Sequence, residues 1–265
     1  MKSDYDKYDI EKCISSLNIK KNDVVYISGN LINFGKPNPK ILSNLVNIFY
    51  ASIQKKIKNK GTIVVPSHSF DLVKNKDVFD PKKTLSDTGA FSNYILKLKG
   101  AIRQEHPYSS SAAIGKMAKY ICNNNTQNVY GIDSPFERMI NLNAKFISLG
   151  IDINKNCSQV HHAEYMMNVP YRYNKEFLHK VKINNKIKKK KFNLFVLYKK
   201  FINLKRDENS KIVNNFLKKN KLQKVKLGKN YVYCYNLKNF YDSNINLLRK
   251  DIYCWMKKKP KKILF

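Results

Sequence analysis

Three features of the 265-residue chain predict an α/β fold in which helices cover a sheet. Apolar runs of strand length stand at Val24-Val25-Tyr26-Ile27-Ser28, at Thr62-Ile63-Val64-Val65 and over residues 144–149. Between the first two, Ile41, Leu42, Leu45, Val46, Phe49 and Ile53 recur at helical spacing, and strand, helix, strand is the unit of such a sheet. Glycine punctuates the first part of the chain: of nine glycines, eight lie at or before Gly150 and only Gly228 follows.

Residues 10–17 read as a short helix, and Lys21-Asn22-Asp23 as the turn into the first strand. Gly29 and Gly35 bracket the loop Gly29-Asn30-Leu31-Ile32-Asn33-Phe34-Gly35, and the helix within 40–58 stops at Gly61. Pro66 is expected to break the second strand. Residues 67–86 then form a long irregular connection holding Phe79-Asp80-Pro81, and connections that long in compact domains tend to be functional. Residues 89–98 read as helix and 101–103 as extended, after which His106-Pro107 interrupts the chain before Ser109-Ser110-Ser111-Ala112-Ala113-Ile114-Gly115. Helices at 115–122 and 135–141 precede the strand that ends at Gly150. Beyond Pro170, strand-like pieces (193–198, 231–235) alternate with helix-like ones (210–219, 237–250), and Lys188-Lys189-Lys190-Lys191 reads as a solvated turn. The expected organisation is one integrated domain: residues 1–170 as core and 171–265 as a basic part that completes the fold and forms a substrate-facing wall.

Composition bounds the function. With 43% apolar residues the chain can bury a full core, and no apolar run approaches the roughly 20 residues that cross a bilayer. No charged start followed by an apolar core and a cleavage site is present, so the expected location is the cytoplasm. Cys13, Cys122, Cys157, Cys234 and Cys254 are odd in number, scattered and without a C-x-x-C pair, which points to reduced thiols and neither a disulfide framework nor a metal site. The formal charge of +32 is uneven: residues 1–170 hold 23 basic and 14 acidic side chains (net +9), residues 171–265 hold 28 and 5 (net +23). Lys in company with Asn and Ile is what an AT-rich genome produces, and that reading is placed ahead of a nucleic-acid footprint. A positive field nevertheless favours ligands that carry phosphate or carboxylate.

The chemistry centres on Ser158 to Glu164. If this run opens a helix, His161 and Glu164, three apart, share a face, so the carboxylate can hold one ring nitrogen and leave the other as a base. His162 would point about 100° away and pack instead. Cys157, four residues before His161, is a rival nucleophile.

Several runs occur in a telling order: Asp23 through Phe34-Gly35; Gly61-Thr62-Ile63-Val64-Val65-Pro66-Ser67; Phe79-Asp80-Pro81 through Gly89; Arg103-Gln104-Glu105-His106-Pro107; Ser110-Ser111-Ala112-Ala113-Ile114-Gly115; Tyr130-Gly131-Ile132-Asp133-Ser134-Pro135; and His161-His162-Ala163-Glu164. This set resembles the aminoglycoside 3-N-acetyltransferase (antibiotic N-acetyltransferase) family over about residues 19–172 and fades beyond. The resemblance implies that family's fold, a mixed sheet covered by helices on both faces. It further implies direct transfer of acetyl from acetyl-coenzyme A to an amine, without a covalent enzyme intermediate. His161 would be the general base, Glu164 its orienter, and Ser158, where the family usually has Thr, a donor to the tetrahedral oxyanion. Ser28, Gly29, Asn30 and Leu31, with Ser110, Ser111 and Ala112, match coenzyme-binding segments, although the family commonly reads His-Ser-Ser-Leu at the first. His106 is a further coenzyme candidate, or a turn cap before Pro107. Ser67, His68 and Asp80 are placed on the substrate side, Asp80 being also a loop-forming residue, and Arg103 either meets phosphate or pairs with Asp133 or Glu105.

The acceptor is expected to be an amino sugar. Polycationic aminoglycosides need a concentration of carboxylates that a chain with 19 acidic residues does not advertise, so a nucleotide-linked or phosphorylated amino sugar for glycan biosynthesis is the first expectation and an aminoglycoside the alternative. A nucleic-acid-binding module using Tyr231, Tyr233, Tyr235 and Phe240 among the lysines, and a non-catalytic homologue, stand as further alternatives. Self-association into a homo-oligomer is left open.

Overall fold

The computed structural model describes residues 2–123, 126–201, 211–219 and 222–256. Helix α1 (Lys7–Ser16) opens with a capping box in which Asp6 and Asp9 satisfy each other's backbone N–H. Strand β1 (Val24–Gly29), helix α2 (Leu45–Ile57) and strand β2 (Thr62–His68) follow as the sequence predicts, except that residues 39–44 are a 3-10 turn started by Pro39 rather than part of the helix. Pro66 does not end β2, which is a correction. Pairing of β1 with β2 stops at Tyr26 and Val64, so beyond that point β2 has a partner on one side only and tolerates a residue without an N–H.

A helical turn α3 (Leu72–Asn75) and helix α4 (Ala90–Lys97) lead to β3 (Ile102–Arg103) and β4 (Ser109–Gly115). Then come α5 (Ala118–Cys122), α6 (Pro135–Asn141, capped by Ser134) and β5 (Lys145–Leu149). Helix α7 (Val160–Met166) precedes a long hairpin, β6 (Arg172–Ile183) and β7 (Lys186–Leu197). Finally α8 (Lys211–Lys219), β8 (Gln223–Leu227), β9 (Asn230–Asn236) and α9 (Leu237–Lys250) complete the described chain. The expected helix start at Ser210, and the end of the basic part at 257–265, lie outside the described residues.

The main sheet has the order β3-β4-β2-β1-β5-β9-β8. Its centre, β2-β1-β5, is parallel, and the flanking strands run antiparallel, so the sheet is mixed. Alternation along β1 divides the core: Val24 and Tyr26 face α5, α6, α7 and α9, while Val25 and Ile27 face α1, α2 and α4. Helices therefore cover both faces. Residues after 170 join the same sheet, since β9 pairs with β5 from Lys145↔Asn236 to Leu149↔Val232.

The hairpin corrects a second expectation. Lys188-Lys189-Lys190-Lys191 is not a turn but the middle of β7, paired with Val181 to Leu178 of β6. The turn is Asn184-Asn185, whose positive φ values of 48° and 62° suit a tight two-residue reversal. All five cysteines are free and buried. Among the described residues no helix is long and apolar enough to cross a membrane, and no group of His, Cys, Asp or Glu could hold a metal ion.

Candidate active site

His161 stands in the first turn of α7 and Glu164 one turn on. The spacing predicts contact between them, and Glu164 Oε2 lies 2.5 Å from His161 Nδ1. The carboxylate is 2% exposed and the imidazole 22%, so the acid is sealed and the ring is the part solvent reaches. Two residues from the chain reversal after Pro170 complete the acid's surroundings. The Tyr171 hydroxyl donates to Glu164 Oε1 at 2.8 Å, and Arg172 Nε is 2.9 Å from Oε2, a charge contact whose N–H is not aimed at the oxygen.

Burial acts to raise the Glu164 carboxyl, but His161, Arg172 and Tyr171 together outweigh it and hold the group below its usual 4.5. An ionised carboxylate on Nδ1 fixes the ring orientation and commits that nitrogen as donor, so the proton-accepting role falls to Nε2. Tyr130 and Trp255 flank the ring, with centroids 5.9 and 6.3 Å away. His162 points elsewhere, as its position on the helix dictates. It is buried against Phe136 and Tyr241, accepts from Gly131 N at 3.3 Å, and burial pulls its pKa down to about 4, so it is neutral at physiological pH.

Ser158 sits just before α7, near the buried Tyr26 hydroxyl. Cys157 is 1% exposed, and its thiol donates to the Asn154 carbonyl at 3.4 Å. A thiol enclosed in this way is poorly presented to an acyl donor. Cys157→Ala is accordingly expected to leave kcat essentially unchanged in a thiol-release assay; a lost rate in a folded variant would restore the nucleophile route.

Ser28, Gly29, Asn30 and Leu31 line a crevice of about 390 Å³ at the carboxyl ends of β1 and β5, walled opposite by Asp87, Thr88, Gly89, Ala90 and Ser92. The strand after β1 in sequence, β2, lies on one side of it and β5 on the other, and ligands of open α/β sheets collect outside such a reversal of strand order. Gly29 is required here: a Cβ at φ 153° would stand 2.1 Å from the Leu149 carbonyl oxygen. Gly89, at φ 98°, has open space in front of it. Small residues (Ser28, Gly29, Thr88, Gly89, Ala90 and Ser92) let a ligand approach the backbone closely, while Ile27, Leu31, Ile32, Phe91 and Leu149 give the crevice an apolar lining, a combination that suits a long thin ligand such as pantetheine. Ser28 Oγ donates to Asn156 Oδ1 at 3.2 Å and Asn156 Nδ2 to Ser148 Oγ at 2.7 Å, tying the crevice to the loop that delivers α7.

The other expected residues do not line this crevice: Ser67 and His68 are on β2 next to β1, with Asp87 of the crevice wall donating its backbone N–H to the His68 carbonyl at 2.8 Å, and Ser110, Ser111 and Ala112 are one strand further, on β4. Ser67 pairs with Ser110 in the β2–β4 ladder, their hydroxyls 2.9 Å apart, and Ser111 and Ala112 are buried in β4. His106 is 1% exposed, with Nε2 on the Asn193 carbonyl at 3.0 Å and Nδ1 accepting from Ser109 N at 3.1 Å; burial lowers its pKa to about 4. Its turn-capping reading therefore has a geometric basis. Half-buried His68 is likewise lowered to about 4, first by burial. Asp80 anchors its own loop, accepting from Lys82 N at 3.0 Å and meeting Lys182 at 3.4 Å. Arg103 pairs with neither Asp133, which meets Arg138, nor Glu105, which meets Lys190. Tyr171, Arg172 and Asn156 were not singled out by sequence reasoning. Nothing local marks them, because their partners are reached only by chain reversal or across the sheet.

Comparisons with known proteins identify the family and the fold. The model of the family described as aminoglycoside 3-N-acetyltransferase matches residues 42–249, well past the point where the motif resemblance fades. Aminoglycoside N(3)-acetyltransferase III of Salmonella sp and its counterpart in Enterobacter cloacae are 30% identical over 95 residues, 35% of this chain. The matched stretch spans only 33% of the length of those relatives. In solved structures, AAC-IIIb in binary complex with CoASH superposes with a TM-score of 0.75 at 15% identity, covering 96% of this chain and 98% of that one. Sisomicin-bound AAC-VIa gives 0.78 at 17%, covering 93% and 98%. At such identities the likeness establishes the fold.

Proposed function

The chain belongs to the aminoglycoside 3-N-acetyltransferase family, and from that premise we propose that it is an N-acetyltransferase that moves acetyl from acetyl-coenzyme A to the amine of an amino sugar. The observation that carries the proposal is the 2.5 Å contact between His161 and a sealed Glu164, on a helix whose preceding loop is tied by Asn156 to the crevice at the carboxyl ends of β1 and β5. The coenzyme supplies an activated acetyl thioester. His161 Nε2 takes the proton of the amine as its nitrogen attacks the acetyl carbonyl; Glu164 stabilises the imidazolium that results; the same proton then leaves with the departing thiolate as the C–S bond breaks. Ser158 is the side chain offered to the developing oxyanion.

For the acceptor, the names of the relatives favour an aminoglycoside over the sugar nucleotide that net charge suggested. Net charge averages over a whole surface, whereas recognition depends on one cleft. The test is release of free thiol from acetyl-coenzyme A with a panel of aminoglycosides, simple amino sugars and sugar nucleotides. Turnover is expected with an aminoglycoside. Turnover confined to sugar nucleotides would reverse the acceptor choice, and none with any amine would remove the acetyltransferase reading.

A further inference from the structure

The connection between β2 and α4 also walls a separate cavity of about 500 Å³, lined by Arg103, Lys82, Lys83, Lys182 and the hairpin tip Asn184-Asn185. Asp80 and Glu105 line it too, but both are engaged, with Lys182 at 3.4 Å and Lys190 at 2.9 Å respectively. Arg103, Lys82 and Lys83 are the excess: among the described residues none has a carboxylate within ion-pair distance.

Arg103 is the unusual member. It is only 8% exposed and is fixed in place, its guanidinium 4.8 Å from the centre of the Phe79 ring. Its Nε donates to Ser110 Oγ at 3.0 Å, Nη2 to the Ser67 carbonyl and Ser69 Oγ at 2.6 Å each, and Nη1 to the Thr84 carbonyl at 2.5 Å. These acceptors are neutral. They satisfy hydrogen bonds, and although Asp87 acts on the charge from beyond ion-pair distance, no carboxylate among the described residues touches it; a buried guanidinium in that condition is costly unless an anion approaches it. Burial lowers its pKa only to about 10, so the charge persists at neutral pH.

We propose that this cavity binds a phosphate group of a ligand, with Arg103 as the fixed charge beneath it and the exposed Lys82 and Lys83 as arms that close on it. Three cations around one cavity match a dianionic group with several acceptor oxygens better than a single carboxylate. The phosphate can come from the nucleotide end of the coenzyme or from a phosphorylated acceptor, and binding measurements separate the two. Adenosine 3′,5′-bisphosphate and glucosamine 6-phosphate are titrated calorimetrically at low salt into the full chain and into the Lys82→Ala, Lys83→Ala double variant, with adenosine and glucosamine as phosphate-free controls.

At least one phosphorylated probe is expected to bind, to weaken about tenfold or more in the double variant, and to weaken with added salt. Response of the bisphosphate alone assigns the site to the coenzyme, response of the sugar phosphate alone assigns it to the acceptor, and response of both makes it a general phosphate site. Absence of binding by both probes overturns the proposal, as does affinity unaltered in a double variant that melts with the parent. Both lysines are exposed, so folding is not at issue. The readout needs no turnover, so failure of the acetyltransferase reading leaves this test intact.

Discussion

Replacing His161 with Ala is expected to cut kcat by roughly 10²- to 10⁴-fold, the usual contribution of a positioned general base. The KM for acetyl-coenzyme A is expected to change little, because the imidazole does not line the crevice at Ser28 to Leu31. Stability is expected to stay within about 1 kcal/mol of the parent, since the ring is partly solvated and Glu164 keeps Tyr171 and Arg172 as partners. Thiol-release kinetics and thermal unfolding on the same preparations check all three. A variant with full turnover would show that His161 is not the base, whatever its geometry.

Glu164→Gln is expected to act on two properties at once. The amide can donate to Nδ1 where the carboxylate could only accept, which places the ring proton on Nε2 and blocks the base; roughly a 10³-fold loss of kcat follows, with coenzyme binding nearly intact. It also leaves the Arg172 charge beside a neutral group, at a cost of about 1–3 kcal/mol in stability. The pH dependence distinguishes this from simple misfolding. Because the folded carboxyl is held below its usual 4.5, Glu164 contributes stability that is fully present above that value and is lost as pH falls through the lower folded value. Acid unfolding curves of the parent should therefore converge on those of the variant below pH 4.5 and separate above it. Equal loss of coenzyme binding and turnover would mean that the pair holds the fold together and does not serve the reaction.

What was legible in the sequence follows from where the core lies. Helix α6 and strands β1 and β5 pack on the main core, so their apolar residues carry the period of the element and could be read directly. The β6–β7 hairpin was legible only at its end, where 193–198 read as strand-like and β7 runs to Leu197. Elsewhere much of its outward surface is lysine, and its buried side chains Val181, Phe192 and His179 meet a small satellite group around Phe79 and Tyr108, while Leu194, Phe195 and Leu197 at its end pack against the main core. Without a continuous apolar face the strand period has nothing to imprint on. The site divides in the same way. His161 and Glu164 are one turn apart and their contact follows from helix geometry, whereas Tyr171 and Arg172 reach the carboxylate only because the chain reverses at Pro170. Pro66 misled because it is disfavoured in a strand with partners on both sides, and β2 is single-sided where it occurs.

The pairing of β5 with β9 has a consequence for biosynthesis. Until residues 230–236 emerge, the β5 edge has no partner and His161 lacks the Trp255 ring beside it. A nascent chain can assemble the parallel centre β2-β1-β5 early, yet it carries an open strand edge through the making of the whole lysine-rich hairpin. That charge has a use at this stage, since mutual repulsion between such chains opposes edge-to-edge association while the last strand is awaited.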